Sequence, residues 1–178
     1  MVSVMLGPTL DTPRLVLRPP TADDLEAWIA LMGDAEATRY LGGPKPRSVA
    51  WRSLSTYVGA WVVRGFSNFS IIEKDTGHWI GHAGPWQPEG WPGPEVGWSL
   101  ARSAWGKGYA TEAAGACIDW VFNYLGWEEV IHIIDPENHP SIAVAKRLGS
   151  RRIGPTMLPA PFEASTVEAY GQSRMHRA

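Results

Sequence analysis

One short segment of the chain combines residues that could hold a phosphate; it runs Trp105, Gly106, Lys107, Gly108, Tyr109, Ala110. Gly106 and Gly108 allow backbone N–H groups to approach a ligand with no side chain in the way. A helix predicted to begin near Ala110 adds unpaired N–H groups and the positive end of its dipole. Thr111 adds a hydroxyl, and Lys107 adds a charge at the surface. Together these groups predict an anion site suited to a pyrophosphate.

Two other phosphate-binding patterns do not fit this segment. The P-loop pattern, Gly-x4-Gly-Lys-Ser/Thr, is absent. The dinucleotide fingerprint fails because Thr111 stands at its third glycine position, and because the segment follows a late strand instead of opening the chain. An ordinary tight turn before a helix is the remaining alternative, and the two glycines alone leave it open.

The wider segment beginning at Trp105 resembles the cofactor motif of the GNAT N-acetyltransferase superfamily, Arg/Gln-x-x-Gly-x-Gly/Ala. Gly108 takes the fourth place and Ala110 the sixth, whereas Trp105 departs from Arg/Gln at the first. This form is similar to the RimJ/RimL branch, whose members acetylate protein N-termini and other primary amines. Residues 12–24 and 138–149 are similar to further segments of that branch. The resemblance covers about residues 12–170.

The resemblance implies acetyl-CoA as the donor. In the family, two central strands splay apart, here Glu95–Leu100 and Val130–Ile134, and the pantetheine arm lies in the gap. A backbone N–H near Leu100 would polarise the thioester carbonyl. Asn138 would hold the arm through its amide, or it caps the helix before Pro140, or both. The cofactor-binding residues implied are Leu100, Trp105, Gly106, Lys107, Gly108, Tyr109, Ala110, Thr111, Asn138 and Ser141.

The implied reaction is direct attack of a free amine on the thioester, which needs a base to remove a proton. Glu95 is the first choice, because it begins the strand that leads to the acetyl group and some family members carry a base at the matching place. A surface carboxylate at a strand end is the alternative interpretation. His82 on the neighbouring strand is the second choice. A late acid, Glu163 or Glu168, is the third.

The departing thiol also needs a proton. Many members of the superfamily use a tyrosine at a position that is Ala145 here, so Ser141 is the remaining hydroxyl and the second predicted catalytic residue. Ser141 could instead bond its own backbone in the first turn of a helix. Cys117 is the only cysteine and falls on the inward face of a predicted helix, so it is interpreted as core and not as a nucleophile.

No motif identifies the acceptor. The chain has ten tryptophans, and most are expected in core packing. Trp86 and Trp91 fall in a Pro/Gly-rich loop, Pro85–Pro94, and loops of this kind often carry function. These two residues, with His82, are therefore candidates for substrate binding and indicate an apolar or ring-bearing acceptor.

The elements that position these residues follow from periodicity and turn signals. Helices are predicted to open at Thr21, with Asp24 in a capping box, and at Ser48. The second of these helices is predicted to bury four residues: Trp51, Leu54, Val58 and Val62. The remaining predicted elements are strands 14–18, 69–73, 79–83 and 95–100, a helix 110–125, a strand 130–134, a helix from Pro140, and strands 151–154 and 166–170.

Three consecutive strands before the long helix predict a mixed α/β (α+β) domain and not a repeated βαβ array. The resemblance implies the GNAT fold, a mostly antiparallel central sheet with splayed middle strands and about four flanking helices. The 178 residues contain no linker or repeat, so a single domain over residues 1–178 is expected.

Composition excludes several classes of function. A net charge of −2 disfavours a nucleic-acid partner, and no metal site is predicted. The N-terminus lacks the charged start of a signal peptide, and no stretch reaches the ~18 apolar residues of a membrane span, so a cytoplasmic protein with no membrane partner is expected. The oligomeric state, monomer or homodimer, stays open.

Three hypotheses remain. The first is acetyl transfer from acetyl-CoA to a primary amine, a protein N-terminus or a small molecule, in a ternary complex. The second is a non-catalytic acyl-CoA-binding regulatory module, which the missing tyrosine and the uncertain base favour. The third is acetylation of RNA or an aminoacyl-tRNA, which the net charge disfavours.

Overall fold

A computed structural model describes residues 6–176 of the chain. Eight strands form one sheet in the order β1-β2-β3-β4-β5-β6-β8-β7. The strands are β1 (Leu10–Asp11), β2 (Leu15–Arg18), β3 (Phe69–Glu73), β4 (Trp79–Trp86), β5 (Glu95–Leu100), β6 (Glu129–Ile134), β7 (Arg151–Thr156) and β8 (Val167–Ser173). The helices are α1 (Leu25–Gly33), α2 (Arg47–Arg64), α3 (Tyr109–Trp120) and α4 (His139–Arg147). The predicted mixed, mostly antiparallel sheet with four helices is confirmed.

Helices cover both faces of the sheet. His82 and Ala83 are neighbours on β4, so their side chains point to opposite faces. The His82 ring stacks on Trp28 of α1, with 4.4 Å between ring centroids. Ala83 belongs instead to the main hydrophobic core, where it lies with Cys117 and Ile118 of α3. Cys117 is fully buried there, which confirms its predicted place in the core.

The first two helices lie where they were predicted, although α2 begins at Arg47, one residue before Ser48. Leu54 is buried as predicted, but two of the other residues predicted to be buried on α2 are exposed. Thr21 N–H donates to Asp24 Oδ2 at 2.9 Å, as the predicted capping box requires. Trp51 is 56% exposed and Val62 71% exposed, so the prediction that both point inward is wrong. Trp61 is buried instead: its ring packs against Phe69 and Trp120, and its indole N–H donates to the Asn68 carbonyl at 3.0 Å.

The helix after the glycine-rich segment is less uniform than predicted. It is α-helical from Tyr109 to Trp120 and continues as a π-helical turn, Val121–Leu125. Gly126 ends it with φ of 69°, the left-handed conformation in which glycine commonly ends a helix. The three consecutive residues Trp120, Val121 and Phe122 are all buried, so the apolar surface extends around more than one side of this last stretch.

The sheet opens between β5 and β6, the one parallel pair in the described sheet. These strands are paired at a single register position, Glu95 opposite Ile131, and Ile131 N–H donates to the Pro94 carbonyl at 2.9 Å. On its other side β5 is paired with β4 from Glu95 through to Leu100. The strands therefore diverge beyond Glu95, and the predicted splay is confirmed. No helix within residues 6–176 is long and apolar enough to cross a membrane.

Candidate active site

Glu95 lies where the gap between β5 and β6 begins. Its side chain is buried, at 8% exposure, and its carboxylate accepts two hydrogen bonds. Trp91 Nε1 donates to Oε2 at 2.6 Å, and Ile133 N–H donates to Oε1 at 3.2 Å. Burial raises the pKa of Glu95 to about 7, although both hydrogen bonds act in the opposite direction. The interpretation of Glu95 as a surface carboxylate is therefore wrong.

His82 is held in one orientation by Asn68. The Asn68 amide donates to the Gly84 and Pro85 carbonyls, so its oxygen faces His82 Nδ1 at 2.9 Å and the imidazole carries its proton on Nδ1. Burial among aromatic rings lowers the pKa of His82 to about 3. A group with so low a pKa is neutral near pH 7 but is a weak base, so Glu95 suits proton abstraction better.

Aromatic side chains line the sheet beside Glu95. Trp86 is the last residue of β4 and stands opposite Glu95 in the ladder, so its prediction as a loop residue is wrong. Tyr57 of α2 lies between Trp86 and His82, at centroid distances of 4.8 and 5.3 Å. Trp91 does lie in the loop, and its indole reaches Glu95. The structure thus brings Glu95, Trp86 and Trp91 together, with His82 joined to them through Tyr57.

The glycine-rich segment lies between the end of β5 and the start of α3. Gly106 and Gly108 have φ of 73° and 81°, which is the left-handed region that disfavours other residues. The Trp105 indole N–H donates to the Leu100 carbonyl at 2.8 Å and so ties the segment to the last residue of β5. Ala110 and Thr111 lie in the first turn of α3, where backbone N–H groups have no partner within the helix.

Two residues that were not predicted as site residues, Arg14 and Glu112, brace this segment. Arg14 Nη1 donates to the Lys107 carbonyl at 2.8 Å, and Arg14 Nε donates to Glu112 Oε2 at 2.7 Å. Thr12 Oγ1 donates to Glu112 Oε1 at 2.7 Å. Both residues fall within segments that resemble the family, and this could have marked them as candidates. Their pairing could not be inferred from the sequence, because they are 98 residues apart.

The side chains of the segment point to different partners. Tyr109 is buried, and its hydroxyl donates to Glu73 Oε1 at 2.6 Å, while Arg14 lies over its ring at 4.5 Å. Lys107 Nζ lies 5.8 Å from the centroid of the same ring. Tyr109 therefore anchors the segment through its side chain, and only its backbone is left to face a ligand.

Asn138 and Ser141 follow β6 at the start of α4. Asn138 Oδ1 accepts from Ser141 N–H at 3.2 Å. Asn138 therefore caps α4, which is one of the two roles predicted for it. This bond involves the side-chain oxygen of Asn138 and the backbone N–H of Ser141, and not the Asn138 amide nitrogen or the Ser141 hydroxyl. Ala145, at the family's tyrosine position, is fully buried and offers no proton.

The late acids are less suited to act as a base. Glu168 of β8 forms a two-pronged ion pair with Arg152, with Nε to Oε2 at 2.7 Å, and this pair lowers the pKa of Glu168. Glu163 is exposed in the segment that connects β7 and β8. Within residues 6–176 no group of His, Cys, Asp and Glu side chains could hold a metal ion.

Known proteins resemble this chain over most of its length. A sequence profile of the acetyltransferase (GNAT) domain matches residues 14–151. The uncharacterized N-acetyltransferase p20 of Bacillus licheniformis is 33% identical over 149 residues, which are 82% of this chain and 84% of that protein.

Solved structures agree with these sequence matches. An acetyltransferase from Agrobacterium tumefaciens str. C58 superposes with a TM-score of 0.83 at 31% identity, covering 94% of this chain and 95% of that one. A GNAT-family acetyltransferase from Bacillus anthracis superposes with a TM-score of 0.79 at 25% identity, covering 93% and 98%. With its splayed sheet, its glycine-rich segment and these relatives, the chain belongs to the GNAT acetyltransferase family.

Proposed function

We propose that this protein transfers an acetyl group from acetyl-CoA to a primary amine, with Glu95 as the general base. The observation that carries the proposal is a buried carboxylate at the point where β5 and β6 part, with its pKa raised by burial to about 7. A base with a pKa near the working pH is both deprotonated and basic enough to accept the amine proton.

The donor half of the site fits a pyrophosphate and its extended arm. Around the missing Cβ of Gly106 there is open space to 4 Å, so a phosphate oxygen can approach its backbone. The first turn of α3 adds N–H groups and a partial positive charge, and Arg14 Nη1 donates to the Lys107 carbonyl beside it. The gap beyond Glu95 is the place for the arm, with the Asn138 amide at its far end.

The backbone edge of β5 supplies the expected donor to the thioester carbonyl. The carbonyls of Pro94 and Val96 both face β6, because Ile131 N–H and the His132 ring bond to them. Strand parity places the N–H of Leu100 on the same edge. A fixed N–H there would stabilise negative charge on the carbonyl oxygen as the amine attacks.

Acetyl-CoA supplies the acetyl group as a thioester. The acceptor nitrogen forms the new C–N bond as the C–S bond breaks, and Glu95 takes the proton that the nitrogen loses. Ser141 returns a proton to the departing sulfur, directly or through water. The proton on Glu95 then passes to solvent and Ser141 regains a proton from solvent, so protons balance over one turnover.

The acceptor is a primary amine of the kind acetylated by the RimJ/RimL branch, a protein N-terminus or a small molecule, because the segment from Trp105 has the form of that branch. Trp86, Tyr57 and Trp91 flank Glu95 and favour an acceptor with an apolar or aromatic group beside its nitrogen.

Binding and turnover, measured separately, test this proposal. We expect CoA to bind by calorimetry, and free thiol to be released from acetyl-CoA when a panel of amines and N-terminal peptides is supplied. Gly108→Glu should abolish CoA binding, because it adds a negative charge and a Cβ that would lie 3.4 Å from Arg14 Nη2. The matched control is Gly126→Glu, which imposes the same backbone strain at φ of 69° in open space away from the loop.

Each outcome has one meaning. CoA binding that survives Gly108→Glu contradicts the assignment of the loop. CoA binding without thiol release across the panel favours the non-catalytic acyl-CoA-binding module. The sequence observation that supports this alternative is Ala145 in place of the family's tyrosine.

A further inference from the structure

The point where β5 and β6 separate is defined by one missing backbone bond. Ile131 N–H donates to the Pro94 carbonyl, so in a regular parallel ladder the next bond donated by β6 would join Ile133 N–H to the Val96 carbonyl. Neither group makes that bond. Ile133 N–H donates to Glu95 Oε1 at 3.2 Å, and the Val96 carbonyl accepts from His132 Nδ1 at 2.6 Å. Two side chains have replaced one rung of the ladder.

The two side chains act from opposite faces of the sheet. Glu95 stands opposite Ile131 and shares a face with it, whereas His132, the next residue on β6, points to the other face. On that face the His132 ring lies 5.0 Å from the Trp98 ring. His132 is 1% exposed, so its two ring nitrogens need partners within the protein.

Those partners fix the protons of the imidazole. The Val96 carbonyl has no hydrogen to give, so His132 Nδ1 carries the proton of that bond. His132 Nε2 lies 2.9 Å from Ser150 Oγ, and Ser150 Oγ in turn accepts from Gln172 Nε2 at 2.9 Å. With the hydroxyl donating to Nε2, each hydrogen in the chain from Gln172 to Val96 points at an acceptor.

We propose that His132 is a positioning residue that holds β5 and β6 apart. It occupies the Val96 carbonyl, keeps Ile133 N–H available for Glu95, and is itself held by Ser150 and Gln172. The inference rests on the proposed function, because the gap it maintains is the one assigned to the acetyl-CoA arm and Glu95 is the proposed base.

Loss of the imidazole should allow the strands to close by one rung. In His132→Ala the Val96 carbonyl has lost its donor, and Ile133 N–H is the group that the ladder geometry offers to it. Closure would narrow the gap between β5 and β6. It would also remove the hydrogen bond from Ile133 N–H to Glu95, which lowers the pKa of Glu95. Tyr57, the titratable side chain that interacts with Glu95 from α2, stays neutral because burial raises its own pKa. The pH at which activity rises should therefore move upward.

Three variants separate this role from mere destabilisation. His132→Ala removes the imidazole. His132→Asn keeps an N–H donor at the place of Nδ1 and loses the link to Ser150. Val130→Ala is the control, because Val130 is fully buried on the same strand and face but lies before the gap. We expect His132→Ala to weaken CoA binding and kcat/KM by roughly 100-fold, the cost of ~1 Å misplacement, and His132→Asn to recover most of that loss. Val130→Ala should lower the Tm without changing either quantity more than about threefold.

The outcomes are distinguishable. CoA binding and a pH profile in His132→Ala that match those of Val130→Ala overturn the inference. A crystal structure of His132→Ala needs no ligand and decides the same point: we expect Ile133 N–H bonded to the Val96 carbonyl, and a gap of unchanged width overturns the inference. If His132→Ala does not fold, the crystal structure and the pH profile are determined for His132→Asn. A gap between β5 and β6 of wild-type width then supports the inference, and a closed gap contradicts it. A wild-type protein that binds no CoA would instead count against the proposed function.

Discussion

Replacing Glu95 with glutamine should make the protein more stable and less active above pH 7. Burial raises the pKa of Glu95 from 4.5 to about 7, so between these pH values the folded protein binds more protons than the unfolded chain. Stability therefore falls as pH rises through this window, and above pH 7 the ionised carboxylate costs about 3 kcal/mol, from 2.5 pH units at ~1.36 kcal/mol each.

Glutamine does not ionise, so Glu95→Gln removes this cost. Its single oxygen can accept from Trp91 Nε1 or from Ile133 N–H but serves both less well, a loss of about 1 kcal/mol. The net expectation is a gain of about 2 kcal/mol in the free energy of unfolding at pH 8, and a loss of about 1 kcal/mol at pH 4.5, where wild-type Glu95 is mostly neutral.

Denaturant unfolding of both proteins from pH 4.5 to 8 measures this difference, and subtraction cancels the titration of all other groups. Activity should change in the opposite direction: kcat/KM at pH 8 should fall by roughly 100-fold or more, as expected for loss of a general base. In the wild type, kcat/KM should decrease tenfold per pH unit below about 7, a limb absent from the variant. A stability difference that stays constant with pH would refute the assigned burial of the charge. An unchanged activity limb in Glu95→Gln would refute its role as the base.

Three other substitutions test separate parts of the structure. Arg14→Gln removes the donors to the Lys107 carbonyl and Glu112. In steady-state kinetics the KM for acetyl-CoA should therefore rise roughly tenfold, with a smaller change in kcat. An unchanged KM would mean that the glycine-rich segment is ordered without Arg14. Ser141→Ala keeps the backbone bond to Asn138, so kcat should fall roughly 10- to 100-fold at an unchanged Tm, and equal rates with the variant would remove Ser141 from the reaction. Asp24→Ala removes the buried carboxylate that accepts from Arg18 and from the Ser70 hydroxyl. In urea titrations the free energy of unfolding should fall by about 3 kcal/mol. A change below about 1 kcal/mol would show that water replaces the carboxylate.

The geometry of the candidate site was predictable where it depends on neighbouring residues. The turn of Gly106 and Gly108 into a helix is local, and its glycines have the positive φ angles that their residue type suggests. Glu95 was chosen as the candidate base because it begins a strand whose bounds follow from its own sequence, and because some members of the family carry a base at the matching place. The first of these predictions needed only the residues of one or two adjacent elements, and the second also needed the resemblance to the family.

Features that depend on distant residues were not predictable from the sequence. On α2, Trp61 is buried whereas Trp51 and Val62 are exposed, because the partners of the Trp61 ring, Phe69, Trp120 and the Asn68 carbonyl, all lie outside the helix. Trp86 was assigned to a loop because Pro85 precedes it, yet β4 continues through both. The pairing of His132 with Val96 required the register of β5 and β6, which no local pattern contains.

The brace between Arg14 and the glycine-rich segment also has a consequence for the order of folding. Its bonds join residues 93 to 98 positions apart, so a chain emerging from the ribosome cannot complete the proposed donor site until α3 has been synthesised and docked beside β2. Earlier in synthesis, the exposed edge of β2 awaits its partner β3, which is itself more than 50 residues downstream. With the segment as the proposed donor site, we expect the ability to bind acetyl-CoA to be gained late in synthesis, and only by molecules in which residues from the two ends of this long loop have met.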